Sequence, residues 1–144
     1  MIAKRSFCGA AIFAIFVCGA APVYAEILPR SGVFFYSSEC YQAESGDAGG
    51  GTFKLTRSAS GDKLEVGGGW EGPMESYATT NVRLVPIVSK KLSTITYTFK
   101  LPWEEKGHTY TGSISTTEIR IKGVDGKYYA TPRRNMTYKP SVCR

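Results

Sequence analysis

An aromatic residue, two carboxylates and the chain's single histidine gather in the segment Leu101-Pro102-Trp103-Glu104-Glu105-Lys106-Gly107-His108. Two carboxylates can divide general acid and general base work when they flank a substrate at a defined separation. Adjacent side chains such as Glu104 and Glu105 instead point apart on extended backbone. His108 could orient a nucleophile, but acyl transfer also needs a Ser or Cys held in a nucleophile motif, and no such motif surrounds it. The segment therefore reads as an exposed hairpin loop that recognises rather than catalyses. Trp103, Glu104 and His108 are its candidate binding residues, because tryptophan is favoured at the centres of interfaces.

Three further segments carry chemistry-capable residues. Glycines in Glu44-Ser45-Gly46-Asp47-Ala48-Gly49-Gly50-Gly51 would let backbone N–H groups approach an anion. A phosphate cradle feeds a helix and ends in Lys-Ser or Lys-Thr, whereas a strand follows here, so a mobile strand connection is expected. Trp70, set in Gly67-Gly68-Gly69-Trp70-Glu71-Gly72-Pro73, has little side-chain cover from its neighbours and reads as a plug for one end of the fold or as a stacking surface. Arg133 and Arg134 follow a pair of tyrosines, Tyr128 and Tyr129, and precede Tyr138. Such interleaving can stack on bases or sugars. It equally suits a last strand whose tyrosines cover the core while both arginines face water or pair with Glu39 and Glu44.

Cysteine usage separates two regions. Cys8 and Cys18 lie in the first 25 residues, and only Cys40 and Cys143 follow. Lys4 and Arg5, an apolar run from about Phe7 to Val17 and the Val23-Tyr24-Ala25 triplet form a secretory signal peptide over residues 1–25. The apolar run is shorter than the roughly 20 residues that span a bilayer, so no stable membrane insertion is expected once it is removed. In the oxidising compartment that export implies, periplasmic or secreted, Cys40 and Cys143 are expected to pair. Closing so long a loop contributes on the order of 4.7 kcal/mol in the chain-entropy description. One histidine and two distant cysteines give no tetrahedral ligand set, so neither a metal nor another cofactor is expected.

The elements that must position these residues are strands. Thr94-Ile95-Thr96-Tyr97-Thr98-Phe99-Lys100-Leu101 alternates strictly, with Ile95, Tyr97, Phe99 and Leu101 on one face. Shorter alternations pair Phe53 with Leu55, Leu64 with Val66, Val82 with Leu84 and Ile119 with Ile121, while Tyr110, Gly112 and Ile114 continue the pattern. Ser60-Gly61-Asp62 and Asp125-Gly126 supply turn chemistry between antiparallel neighbours. Residues 26–144 are thus read as one all-β domain of about eight strands, with at most a helical turn in 73–79 or 103–107. A small antiparallel barrel is expected because a Cys40–Cys143 bridge would set the first and last segments side by side; a β-sandwich is the alternative.

Removing residues 1–25 takes away Lys4 and Arg5 and none of the 12 acidic residues, which leaves a mildly basic domain. Its cations are scattered among carboxylates, unlike the clustered excess of a nucleic-acid binder. The expected function is that of an exported protein-binding or inhibitor-like module with no enzymatic activity, its partner an extracytoplasmic protein. A carrier of a small apolar or aromatic ligand inside the barrel is the alternative.

Overall fold

The computed structural model describes residues 27–68 and 75–144. The expected signal peptide over residues 1–25 and the candidate residue Trp70 lie outside the described residues. In chain order the elements are β1 (Gly32–Ser37), β2 (Cys40–Tyr41), β3 (Ala48–Gly49), β4 (Gly51–Ser58), β5 (Gly61–Gly68), β6 (Glu75–Ala78) and β7 (Thr80–Ile87). A 3-10 turn at Val88–Lys90 leads into β8 (Leu92–Phe99), β9 (His108–Ile114), β10 (Glu118–Lys122), β11 (Tyr128–Arg134) and β12 (Ser141–Val142). Among the described residues the helical turn falls after β7: β6 occupies 75–78, and 103–107 forms turns and bends.

Nine strands form one antiparallel sheet in the order β6-β5-β4-β1-β11-β10-β9-β8-β7. Its two edge strands, β6 and β7, are consecutive in the chain and separated only by Thr79. They are halves of one bent strand, the first bonded to β5 and the second to β8. Thr79 sits at the crossover, where its N–H and its hydroxyl both donate to the Leu64 carbonyl, at 2.9 and 3.0 Å. The bend is completed by a register shift between Thr80 and Arg83 and by Asn81, which takes φ +53°. Asn tolerates that left-handed conformation better than most residues, and an added residue in one strand bends it. Counted this way the sheet is a nearly closed, up-and-down barrel, and the expected architecture holds.

Inward residues match the period-2 pattern. Phe34 lies opposite Leu55 and Leu55 opposite Leu64, while Ile114 faces Ile119. These side chains, with Tyr36, Ile95, Tyr97 and Ile121, form one buried cluster. At Gly112 a Cβ would stand 2.0 Å from the Arg120 carbonyl oxygen, so only glycine permits the approach of β9 to β10 there. The N-terminal segment closes the end of the barrel that carries the β4–β5 turn. Leu28 is buried in the cluster, and Arg57 donates to the carbonyls of Leu28 and Pro29 at 3.2 and 3.1 Å. Asp62 holds that guanidinium through two bonds, at 2.9 and 3.3 Å, a bidentate geometry that fixes its plane.

The seam between β1 and β11 is short, with only Phe35 facing Arg134 and Tyr36 facing Arg133. Side chains reinforce it. The Arg133 guanidinium stands 4.8 Å from the Phe34 ring centre and 5.7 Å from that of Tyr36. Arg134 lies 4.8 Å from the Tyr138 ring centre and donates to the Ser37 carbonyl at 3.4 Å. These residues thus take aromatic faces instead of pairing with Glu39 or Glu44. Beyond the seam β12 pairs in parallel with β2, β2 pairs with β3, and Cys40 is bonded to Cys143 with an S–S distance of 2.10 Å. The expected disulfide is therefore present and links positions 103 residues apart.

Replacing Cys40 and Cys143 by Ser together is expected to lower stability by about 2–5 kcal/mol, read from denaturant unfolding of the protein with and without reductant. An unchanged midpoint would contradict a seam that depends on the bridge. Tyr36 provides a second test. Its hydroxyl donates to the Ser115 carbonyl at 2.6 Å, and burial pushes its pKa from 10.0 up to about 12, against the opposing pull of Arg133. Because the folded value is raised, this contribution is complete below the unfolded value and is lost as pH rises through the folded one. Stability should hold to about pH 10 and then fall. Tyr36→Phe should start roughly 1 kcal/mol lower and fall less steeply, as measured by denaturant midpoints across pH.

Candidate functional site

Successive strands of the barrel alternate in direction, so the connections 38–50, 100–107 and 123–127 leave from one end and 59–60, 88–91 and 115–117 from the other. The structure brings Trp103, Glu104 and His108 together at the first end. Glu104 organises the loop: its Oε2 accepts the Leu101 N–H at 2.8 Å, and its own N–H donates to the Leu101 carbonyl at 3.0 Å. The second carboxylate oxygen lies 3.9 Å from His108 Nε2. The return of the loop to β9 is tight, because a Cβ on Gly107 would come within 2.8 Å of Thr98 Cγ2. Between these fixed points Trp103 is 71% exposed. The loop therefore holds a large aromatic in water on a backbone already bonded to itself.

The β10–β11 turn lies at the same end. Asp125 accepts the Tyr129 hydroxyl at 2.6 Å and the Lys127 N–H at 3.0 Å. Those bonds, Tyr129 first, hold its carboxyl below the usual carboxylate value and push the Tyr129 hydroxyl above the usual phenol value. Gly126 takes φ +80°, as the turn requires. Val124 is 87% exposed, Tyr128 65% and Tyr129 56%.

Tyr128 and Tyr129 therefore do not cover the core as a final strand suggested. Tyr129 pairs with Ile121, but its ring lies against Gly123 in the turn, where a Cβ would meet Tyr129 Cε2 at 2.8 Å. The inward positions further along the same strand are Thr131, which is buried, and Arg133. Sequence reasoning missed that the inward face of β11 is buried at Thr131 and not at the tyrosines. The signal was Thr131, a small polar residue opposite Ile119 that fixes which face of β11 points inward.

Arg133 and Arg134 lie at the far end of β11, at the barrel seam, and are not brought to the Trp103 loop. The Gly-rich stretch connects strands through the β2–β3 hairpin: Gln42 N–H donates to the Asp47 carbonyl and Gly46 N–H to the Gln42 carbonyl, each at 2.8 Å. Among the described residues no group of three or more His, Cys, Asp or Glu is placed to hold a metal ion.

At the Trp103 end the inner faces read from the alternation form an arc, to which the structure adds Tyr77. Phe53 faces Val66, Val66 faces Tyr77, and the Tyr77 and Phe99 rings lie 6.3 Å apart. Tyr97 and Tyr110 stack at 5.5 Å. Deep burial, with a smaller contribution from Tyr110, pushes the Tyr97 hydroxyl well above the usual phenol range. Compared with known protein families, with curated protein sequences and with solved structures, the chain has no significant match.

Glu104→Ala should leave the global unfolding midpoint nearly unchanged, because the loop lies outside the buried cluster. It should raise amide exchange at Leu101 by roughly tenfold through loss of a bond worth about 1 kcal/mol or slightly more, read by hydrogen–deuterium exchange. Unchanged protection at Leu101 would remove Glu104 as the organiser of the loop.

Proposed function

We propose that this protein is an exported, non-enzymatic binding module, inhibitor-like in presenting fixed loops, which engages an extracytoplasmic protein through the barrel end that carries Trp103. The observation that carries this reading is the exposure of Trp103 on a loop fixed by Glu104. Exposed tryptophan contributes little to stability where it stands, whereas a pre-positioned one binds at low ordering cost. Val124, Tyr128 and Tyr129 extend the apolar surface on a turn at the same end. Export to the periplasm or the outside medium is supported by the Cys40–Cys143 disulfide and by the charged-then-apolar start of the chain. Among the described residues no helix is long and apolar enough to cross a membrane. The absence of catalysis is supported by the Glu104–His108 contact, which lies at 3.9 Å between a half-buried carboxylate and an exposed imidazole and has no Ser or Cys nucleophile in its own loop.

The carrier reading keeps one observation in its favour: Phe53, Phe99 and Tyr110 line the interior at this end and are only partly buried. Native mass spectrometry of the protein recovered from its own extracytoplasmic fraction separates the two. A stoichiometric macromolecular adduct that Trp103→Ala loses and Phe99→Ala keeps is expected. A co-purifying mass of a few hundred daltons, lost in Phe99→Ala and kept in Trp103→Ala, would replace the binding module by the carrier.

A further inference from the structure

The outer face of β7, β8 and β9 is chemically unlike the rest of the surface. Across the three strands the outward positions align as Thr80–Thr98–Thr109, Arg83–Thr96–Thr111 and Val85–Thr94–Ser113. Hydroxyls thus occupy seven of the nine positions. Strand geometry spaces them about 4.8 Å apart across the sheet and about 6.7 Å along it. One neighbouring pair, Thr98 and Thr109, already lies within bonding distance, at 3.4 Å.

Threonine suits a pleated surface on propensity alone, but the charge distribution does not follow from that. No Asp or Glu occurs from Ser76 to Trp103, and none between Glu105 and Glu118. Arg83 stands within the grid, Lys100 follows the outward register just beyond β8, and Lys90 lies in the 3-10 turn. None of these three is in an ion pair among the described residues, whereas on β4 and β5 Lys54 faces Glu65 at 2.9 Å. Thr94 already donates to the Val85 carbonyl at 3.3 Å; the other outward positions offer hydroxyls and, among the described residues, cations outside any ion pair, with no carboxylate on the three strands to repel an anion.

We infer that the β7–β8–β9 face binds an anionic polysaccharide, one bearing sulfate or carboxylate groups on an otherwise oxygen-rich chain. The chemistry selects among polyanions and partners. Single-stranded nucleic acid is held by stacking on aromatic side chains, and the grid contains none. A protein interface is anchored by buried aromatic or large apolar side chains, and Val85 is the only large apolar residue in the grid. A sugar polymer needs hydrogen-bond partners at regular spacing together with cations for its acidic groups, and both are present. The grid reaches the Trp103 end at its Thr98–Thr109 row, where Thr98 and Lys100 adjoin Gly107 of that loop, and runs from there along the outer wall toward the 88–91 connection.

The test is calorimetric titration of the purified protein with dextran sulfate and with neutral dextran of matched length, at two salt concentrations. Dextran sulfate is expected to bind and neutral dextran not to, with affinity falling as salt rises. Arg83→Gln with Lys100→Gln should weaken binding at least about tenfold, through lost charge contacts. Thr96→Val with Thr111→Val keeps both charge and strand propensity and should weaken it about threefold or more, through lost hydrogen bonds. Lys63→Gln with Lys127→Gln, outside the grid, should change it less than twofold, roughly the effect of exposed charges at a distance. Equal losses from the control pair would mean diffuse electrostatics only and would overturn the assignment. So would an oligothymidylate that binds more tightly than dextran sulfate, or Thr→Val variants that bind as the parent does.

Discussion

A sheet can bury one face without edges only if its first and last strands meet, and in this protein that meeting is the weakest part of the ladder. β1 and β11 share two register positions, whereas β1 and β4 share six. The missing main-chain bonds are offset by side chains that reach across. Arg133 lies over Phe34 and Tyr36, Arg134 bonds to the Ser37 carbonyl, and Tyr138 donates to the Glu39 carbonyl at 3.3 Å. Cation–π contacts strengthen as water is excluded. Arg133 is half-buried and Phe34 is buried, so this pair sits where such a contact counts. The disulfide then limits how far the two chain ends can separate when the seam opens.

Closure of this seam determines what the remaining chain is free to do. With Leu28 seated in one end and the central layer filled by Leu55, Leu64, Ile95 and Ile119, the interior at that end is a packed core. Recognition is left to the opposite end and to the outer surface. The loops there need not contribute to stability, and accordingly they carry exposed aromatics held by local bonds, Glu104 to Leu101 and Asp125 to Tyr129. The division resembles that of other rigid barrels, in which a regular sheet positions irregular connections.

The fold was legible because a barrel stave buries every second residue, which leaves a signature in each strand: Ile95, Tyr97 and Phe99 against Thr94, Thr96 and Thr98. The position of the disulfide was equally legible, because with Cys8 and Cys18 assigned to the expected signal peptide the two remaining cysteines admit one pairing. What escaped was set by tertiary contacts with no local signature. The bend that lets one strand serve both β5 and β8 depends on Thr79 bonding to Leu64, fifteen positions away. Tyr128 and Tyr129 were misassigned to the core because aromatic residues ordinarily fill interiors; Tyr128 lies on the outer face opposite Lys122, and at Tyr129, next to the β10–β11 turn, the inward face has passed beyond the packed layer. Arg133 was read as facing water or pairing with Glu39 or Glu44, because a guanidinium is costly to bury and its aromatic partners lie about a hundred residues earlier in the chain. Of the site, the Trp103 loop was visible as a cluster of residue types, while the hydroxyl grid needed the register.

Register converts a common composition into a particular surface. Threonines in β8 and in β9 are each unremarkable, since both strands alternate with an apolar face that must be buried. They become an array only because Thr96 stands opposite both Arg83 and Thr111, and because no acidic residue falls on any of the three strands. A one-residue slip of β8 would turn Ile95 and Tyr97 to solvent and the threonines to the core, at a cost of several kcal/mol in lost burial. The same apolar packing that closes the barrel therefore holds the outer face in alignment. Any chemistry on that face inherits its geometry from the core rather than from contacts of its own, and changes confined to the outward positions can alter what the face binds without disturbing how the chain folds.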